Sequence, residues 1–318
     1  MLNKKALDLI HNSHYILIIT HINPDADTLS CALAMSNYLS ENKIKHKVFN
    51  KQKDLPNNLD FLNGFSKITD QFPKSYDLAI YVDCGDIHRP AVSIDENCKI
   101  INFDHHQSND NFGFINFVDD TKASTAEIIF DFFIKNDLKI SKNTAECLYT
   151  GIYDDSLAFT TPRTDANTFK AINHIVECGA KPSYIASMLT QRQSIAKLKI
   201  EAKVIDSLEL YQEGELAIIY VLPLWLEQTG ASYKDCNEVI NKVLNLGIVK
   251  IAAFLRITNG KTRVSLRSKD IDITDVASHF NGGGHKNAAG CSIESLNVKE
   301  SKIILIEKIR ELKYEEKK

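Results

Sequence analysis

Tryptophan occurs once, methionine three times, proline seven times and glycine thirteen times in 318 residues. So little glycine and proline, without any period, excludes a collagen-like or low-complexity chain. No apolar run approaches the ~20 residues that a bilayer-crossing helix needs; the longest, Leu216 to Leu226, is interrupted by Pro223. A signal-peptide core is missing as well, because Asp8, His11, Asn12, Ser13 and His14 break the apolar stretch behind Lys4 and Lys5. Excess charge of either sign is absent: 38 basic residues face 41 acidic ones, so there is no sequence-wide basic field for long duplex nucleic acid. The seven cysteines are scattered and never form a C-x-x-C pair, which argues against zinc ribbons and disulfide frameworks. They read as reduced small hydrophobes. These absences leave a cytoplasmic globular protein with no membrane partner as the expectation.

What is present is 44% apolar residues, enough for more than one core, and the length suggests two domains. Tyr15 to Thr20, Asp77 to Val82 and Lys99 to Phe103 are short β-rich runs, and helical periods over Asp27 to Leu39, Ala126 to Phe133 and Ala145 to Tyr149 alternate with them. Asn143 or Thr144 would cap the last of these helices. The expected fold class is α/β: a parallel sheet with helices on both faces over residues 1–181, a helical linker over 182–210, and a smaller α/β domain over 211–318. The active site is expected in the cleft between the domains. Lys313 to Lys318 reads as a solvated helix end.

Four polar clusters sit where an apolar element stops: His21-Ile-Asn-Pro-Asp25-Ala-Asp27, Asp83-Cys84-Gly85-Asp86, Asp104-His105-His106 and Asp154-Asp155-Ser156. In open α/β sheets, ligands bind beyond the carboxyl ends of the strands. Each cluster alone has a structural reading, since Asp is a common cap and turn former. Together, five or more carboxylates converging with three imidazoles repel one another unless cations neutralise them, and a two-metal centre supplies that neutralisation. Oxygen-rich ligands with some imidazole favour manganese or magnesium over zinc.

In order and spacing, HINPDAD, VDCGD, FDHH and GIYDDS resemble the four motifs of the DHH phosphoesterases. Asn281-Gly282-Gly283-Gly284-His285 resembles the signature of that family's associated C-terminal domain. The resemblance implies two manganese positions, with magnesium possible: one held by His21, Asp25 and Asp83, the other by Asp27, Asp83, His105 and Asp155. Asp83 is the shared, catalytic bridge. Asp104 would orient a histidine, and His106 would face the scissile phosphate. Ser30-Cys31 stands where the first motif commonly reads Gly-Ser, and Asp154 and Leu157 stand where Thr and Gly are common. None of these departures removes a ligand, although Asp154 competes with Asp155 for the same role.

The glycines follow a helical pattern and precede an Ala-Ala-Gly stretch read as a helix start, so their backbone amides are expected to face a phosphate. Arg267-Ser268 is similar to the family's Arg-Ser pair and adds a bidentate donor. Substrate binding is therefore assigned to Arg267, Ser268, Gly282, Gly283, Gly284 and His285. Within the family, this compact arrangement is similar to the group that degrades short RNA and dephosphorylates pAp. The implied activity is a cytoplasmic exoribonuclease acting on short RNA oligonucleotides and nucleotides such as pAp. A RecJ-like single-strand DNA exonuclease and a non-catalytic nucleotide sensor are the alternatives, and a homodimer is the base-rate expectation.

Overall fold

A computed structural model describes residues 2–312, and the chain divides after Arg192 into two units. The expected helix end at Lys313 to Lys318 lies outside the described residues. The first unit runs α1 (Leu2–Asn12), β1 (Ile16–Ile19), α2 (Ala26–Glu41), β2 (His46–Phe49), β3 (Leu78–Val82), β4 (Lys99–Asp104), β5 (Ile115–Val118), α3 (Thr125–Lys135), α4 (Lys142–Asp155), α5 (Ala166–Glu177) and α6 (Pro182–Thr190). Its strands form one five-stranded sheet in the order β2-β1-β3-β4-β5, every pair parallel.

Apolar residues on both sides of β1, β3 and β4 demand cover on both faces of this sheet. Ile16, Ile18, Ile80, Val82, Ile101 and Phe103 face a core supplied by the helices. Leu17, Ile19, Phe49, Ala79, Tyr81 and Ile100 face the other way, where Phe72, Tyr76, Ile87, Val92, Ile94 and Phe112 cover them. Those covering residues belong to connections between strands. The α/β class is as expected, but the helices lie on one face and loops close the other. The strand order supplies the reason. After β2 the chain reverses direction past β1, so right-handed crossovers to β3, β4 and β5 must use the face opposite α2. The segments they cross with, residues 50–77, 83–98 and 105–114, form no α-helix.

The second unit runs α7 (Ile195–Asp206), β6 (Glu209–Tyr211), β7 (Leu216–Val221), α8 (Pro223–Thr229), α9 (Val239–Leu244), β8 (Ile251–Thr258), β9 (Lys261–Ser268), α10 (Thr274–His279), β10 (Gly283–His285), β11 (Ala288–Ile293) and α11 (Val298–Arg310). Its six strands are ordered β10-β11-β9-β8-β7-β6, antiparallel except for the β7–β8 pair. Residues from α10 and α11 fill one face. On the other face, α7, α8, α9 and the turn at Tyr233–Cys236 pack their apolar residues on β7 and β8, and α9 also touches β9.

Three local expectations change. The periodic stretch Pro182 to Leu210 is two helices, α6 and α7, rather than one continuous helix. The chain breaks where Ser194 caps α7 by accepting from Lys197 N, and Arg192 is pinned by a bidentate contact to Asp60 (2.5 and 3.1 Å). Ser141, rather than Asn143 or Thr144, caps α4. The Ala-Ala-Gly stretch after the glycines is strand β11, with Gly283, Gly284 and His285 opposite Gly290, Ala289 and Ala288. A Cβ on Gly282 would lie 2.2 Å from the Gly290 carbonyl oxygen, and Gly284 has φ +150 with no room for one. Two of the three glycines are thus demanded by the hairpin itself.

All seven cysteines are free, and among the described residues no helix is long and apolar enough to cross a membrane. Phe103, fully buried one residue before Asp104, packs its ring 4.8 Å from Phe117 and 5.3 Å from Phe132. Phe103→Ala is expected to cost about 3–5 kcal/mol of unfolding free energy through the cavity it leaves. Urea denaturation checks this, and a cost below about 1 kcal/mol would contradict the packing described.

Candidate metal centre

Strand order reverses between β1 and β3, and the loops that leave the carboxyl ends of these two strands carry His21, Asp25 and Asp83. Such a switch point opens a crevice for ligands by topology alone. Asn50, just beyond β2, holds the first loop by donating to Thr20 Oγ1 and to the His21 carbonyl, both at 2.8 Å. The His21 imidazole donates from Nδ1 to the Ile22 carbonyl at 2.8 Å. Nε2 is thereby turned toward Thr28 Oγ1 at 2.6 Å and Asp83 Oδ2 at 3.5 Å.

Asp25 is the N-cap of α2 and accepts from Thr28 N at 2.9 Å. Thr28 Oγ1 lies 2.8 Å from Asp25 Oδ1 and 2.6 Å from Asp83 Oδ2. One hydroxyl proton is thus shared among two carboxylate oxygens and an imidazole nitrogen. Acceptors outnumber hydrogens, and a cation is the natural complement.

Asp27, 2% exposed, accepts the amides of Thr125 (2.7 Å) and Ala126 (3.1 Å) at the N-terminus of α3. That helix end favours negative charge. Gly151, inside α4, makes the approach possible: a Cβ there would stand 2.5 Å from Asp27 Oδ1 and 2.7 Å from the Ala126 Cβ. A mid-helix glycine costs roughly 1 kcal/mol relative to alanine, so its presence marks close contact.

Asp83 sits at the centre. Its backbone has φ +58, a left-handed conformation that a non-glycine residue holds only where its surroundings impose it. Thr125 Oγ1 donates to Oδ1 at 2.9 Å, and the imidazoles of His105 and His106 lie 3.8 and 3.6 Å from the same oxygen. Burial pushes the Asp83 carboxyl up, but the His21 imidazole beside it, the Thr28 hydroxyl and the nearby histidines hold it well below the usual range. The opposite holds for its neighbours. Burial first, then the charges of Asp83, Asp155 and Asp25, raise Asp27 well above an ordinary carboxyl. Burial, with Asp83 and Asp25, brings Asp155 up to about 6.

Asp155 ends α4, with Oδ2 3.3 Å from His105 Nε2. The other His105 nitrogen faces the Lys122 carbonyl. His106 is tied differently: Nδ1 is 2.7 Å from Asp104 Oδ1, and Asn109 Nδ2 donates to Asp104 Oδ2 at 2.5 Å and to the Cys84 carbonyl at 3.0 Å. The bond to Asp104 outweighs burial and raises the His106 pKa.

Three groups have ligating atoms mutually within 4.8 Å: His21, Asp25 and Asp83; Asp83, His105 and His106; Asp27, His105 and Asp155. Each group offers one or two carboxylate oxygens with one or two imidazole nitrogens, and His21 and His105 have their opposite ring nitrogen on a carbonyl, a donor set that suits a divalent cation. Asp154 is exposed and belongs to none of these groups. The structure therefore brings together His21, Asp25, Asp27, Asp83, Asp104, His105, His106 and Asp155. It adds Thr28, Thr125, Asn50, Asn109 and Gly151, which sequence reasoning passed over.

In the second unit, Arg267 is half-buried and donates to its neighbour's carbonyl, Leu266 O, at 2.9 Å. His285 is exposed on β10, in the row His285, Ala288, Arg267 across three strands. Ser268 departs from its expected role. It is 5% exposed, and its hydroxyl donates to the Ile271 carbonyl at 2.5 Å, closing the turn after β9.

Residues 15–152 match the DHH family N-terminal domain, and residues 214–312 match the DHHA1 domain. A Streptococcus mutans protein named probable bifunctional oligoribonuclease and PAP phosphatase NrnA is 28% identical over 286 residues, 88% of this chain and 90% of its own length. The Bacillus subtilis bifunctional oligoribonuclease and PAP phosphatase NrnA is 23% identical over the same shares. A crystal structure of an exopolyphosphatase-related protein from Bacteroides fragilis has the same fold, with a TM-score of 0.84 at 23% identity over 96% of this chain and 94% of that one.

A carboxyl whose pKa rises on folding binds its proton more tightly in the folded state. The Asp155 contribution is therefore fully present below about pH 4, the unfolded value, and is lost as pH climbs to about 6. A divalent cation competes with that proton, so the increase in Tm on adding manganese should be small at pH 5 and clearly larger at pH 7. An equal or smaller increase at pH 7 would contradict the site. Gly151→Ala should weaken manganese affinity about tenfold or more by displacing Asp27, with helix content preserved; calorimetric titration giving an unchanged affinity would refute the contact.

Proposed function

The chain is a DHH family protein with a DHHA1 domain behind its N-terminal domain, and from this premise we propose a metal-dependent phosphoesterase. It degrades short oligoribonucleotides to mononucleotides and hydrolyses 3′-phosphoadenosine 5′-phosphate to AMP. The observation that carries the reading is Asp83, one buried carboxylate common to a His21 and Asp25 group and to a His105 and His106 group. The substrate class comes from the relatives named oligoribonuclease and PAP phosphatase, which align over most of both chains. Free thiols throughout suit the reducing cytoplasm.

We assign one manganese position to His21, Asp25 and Asp83 and a second to Asp27, Asp83, His105 and Asp155, with magnesium as the substitute. Bound cations of this kind supply Lewis acidity at the phosphoryl oxygens and make water a stronger acid. The protein's share is positional. Thr28 and Thr125 hold the two Asp83 oxygens by one hydroxyl each. Asp104 fixes the His106 ring through Nδ1, leaving Nε2 to donate to a phosphoryl oxygen or hold the proton for the leaving oxygen. Arg267 and His285 grip a nucleotide phosphate beside the glycine hairpin, whose Gly282 amide is already taken by the Ala277 carbonyl, with Ser268 keeping the turn beneath Arg267.

The test is a substrate panel with manganese and with EDTA: an RNA dinucleotide, a five-nucleotide RNA, long single-stranded DNA and pAp. Manganese-dependent turnover of the two RNAs and pAp is expected, with turnover abolished in Asp83→Ala and KM raised in Arg267→Ala. Processive degradation of the long DNA would overturn the reading in favour of a RecJ-like exonuclease. Full activity of Asp83→Ala would overturn the role of the shared carboxylate.

A further inference from the structure

The face of the second sheet that carries Arg267 and His285 is left open over β11 and β10 and in part over β9: the apolar residues on that side pack on β7 and β8, α9 also touches β9, and Arg263, Gly290 and His285 are exposed. A second cationic feature lies on the same face, at the border between its covered and open parts. Arg256 on β8 and Arg263 on β9 are direct register partners, and directly opposed residues of antiparallel strands project to one side of the sheet. Two arginine side chains thus leave the sheet from adjacent positions on one face, where like charges repel. Arg256 is half-buried, its guanidinium is 5.9 Å from the centre of the Tyr233 ring, and Nη1 makes one long contact, 3.4 Å, to Asn237 Oδ1. Burial and the charge of Arg263 both act against the protonated form of Arg256. Among the described residues neither arginine forms an ion pair, and Glu294 at the end of β11 pairs with Lys261 instead.

A buried hydrogen-bonding partner would explain one fixed arginine, and solvation would explain one exposed arginine. Neither explains a like-charged pair with one member anchored on an aromatic ring. An anion held between the two removes the repulsion and supplies acceptors for both forks.

The floor beside the pair suits a chain rather than a point ligand. Arg263, Ser265 and Arg267 alternate along β9 on the open face, opposite Ser292, Gly290 and Ala288 of β11. No side chain there is larger than serine between the two arginines of β9. Arg263 and Arg267 are four positions apart along the strand, about 13 Å, too far for one phosphate to touch both. A backbone with several phosphates touches both ends while lying on the small residues between.

We propose that Arg256 and Arg263 form a second anion subsite that holds a downstream phosphate of a single-stranded oligonucleotide whose terminal nucleotide is gripped at Arg267. This rests on the oligoribonuclease reading and adds to it a means of favouring oligomers over mononucleotides. The subsite contributes affinity through counterion release and paired hydrogen bonds, so its share grows as salt falls.

The test is direct binding to the full-length protein in EDTA, where no hydrolysis intervenes, with labelled five-nucleotide RNA and with AMP at several salt concentrations. For the double variant Arg256→Gln, Arg263→Gln, the five-nucleotide RNA should bind roughly tenfold more weakly than to the unaltered protein at low salt, with AMP affinity unchanged. The slope of log affinity against log salt should become shallower by about 0.7, one single-strand phosphate contact. Replacement of both arginines by lysine should restore most of the slope but less of the affinity, which separates charge from mere folding; matching Tm values confirm that the variants fold. Unchanged affinity and slope in the glutamine variant would overturn the subsite. So would an unaltered protein that binds five nucleotides no better than one, even if it hydrolyses pAp, in which case the catalytic reading survives alone. Conversely, RNA binding that depends on both arginines, without turnover of any substrate in the panel, would uphold the subsite and sink the catalytic reading.

Discussion

Negative charge concentrated in a dry place is the constraint on which this structure turns. Asp27, Asp83 and Asp104 are buried to within 2% of full burial or completely, and Asp25 and Asp155 crowd the same few ångströms. Moving a carboxylate out of water is costly unless hydrogen bonds or opposite charge replace the lost solvent. The protein answers with every local donor: two amides at the start of α3 for Asp27, two threonine hydroxyls for Asp83, an asparagine and a histidine for Asp104. These leave a deficit, recorded in the upward shifts of Asp27 and Asp155. A cation closes it.

The architecture of the first unit follows from delivering those groups to one point. Parallel strands end together, so β1, β3 and β4 bring His21, Asp83 and Asp104 to one edge without any long-range coincidence. The reversal of strand order at β1 opens the crevice and also decides how the sheet is covered, with helices on one face and connecting loops on the other. On the helical face, α2, α3 and α4 converge, and Gly151 allows α4 to come close enough for the amides of α3 to reach Asp27. The strain at Asp83 has the same origin: the turn that aims its carboxylate inward requires a left-handed backbone.

Much of this was legible in the sequence, for physical reasons. Apolar runs such as YILIIT and DLAIYV can only be strands buried on both sides, and a polar cluster behind such a run must stand at the sheet's edge. That reasoning pointed to His21, Asp25, Asp27, Asp83, Asp104, His105 and His106; Asp155, behind a helix, came with the resemblance to the family's fourth motif. Thr28 and Thr125 were not legible, because a threonine in the first turn of a helix looks ordinary until tertiary contact puts its hydroxyl on a carboxylate. Gly151 did carry a signal, a glycine inside a helical stretch beside a polar cluster. Edge strands β2 and β5 escaped because they lack an apolar run. The glycine hairpin was misread as a helix start because three glycines and two alanines have no period, and strand pairing with β9 decided their conformation. Arg256 and Arg263 gave no signal at all, since only register makes them neighbours.

The central claim is that one carboxylate, Asp83, joins two cation positions. The most direct measurement is a crystal structure grown with manganese, with anomalous scattering locating the ions. The account predicts two peaks about 3.5–4 Å apart, with Asp83 oxygens on both, His21 and Asp25 on one, and Asp27, His105 and Asp155 on the other. A single ion, or two ions that do not share Asp83, would contradict it.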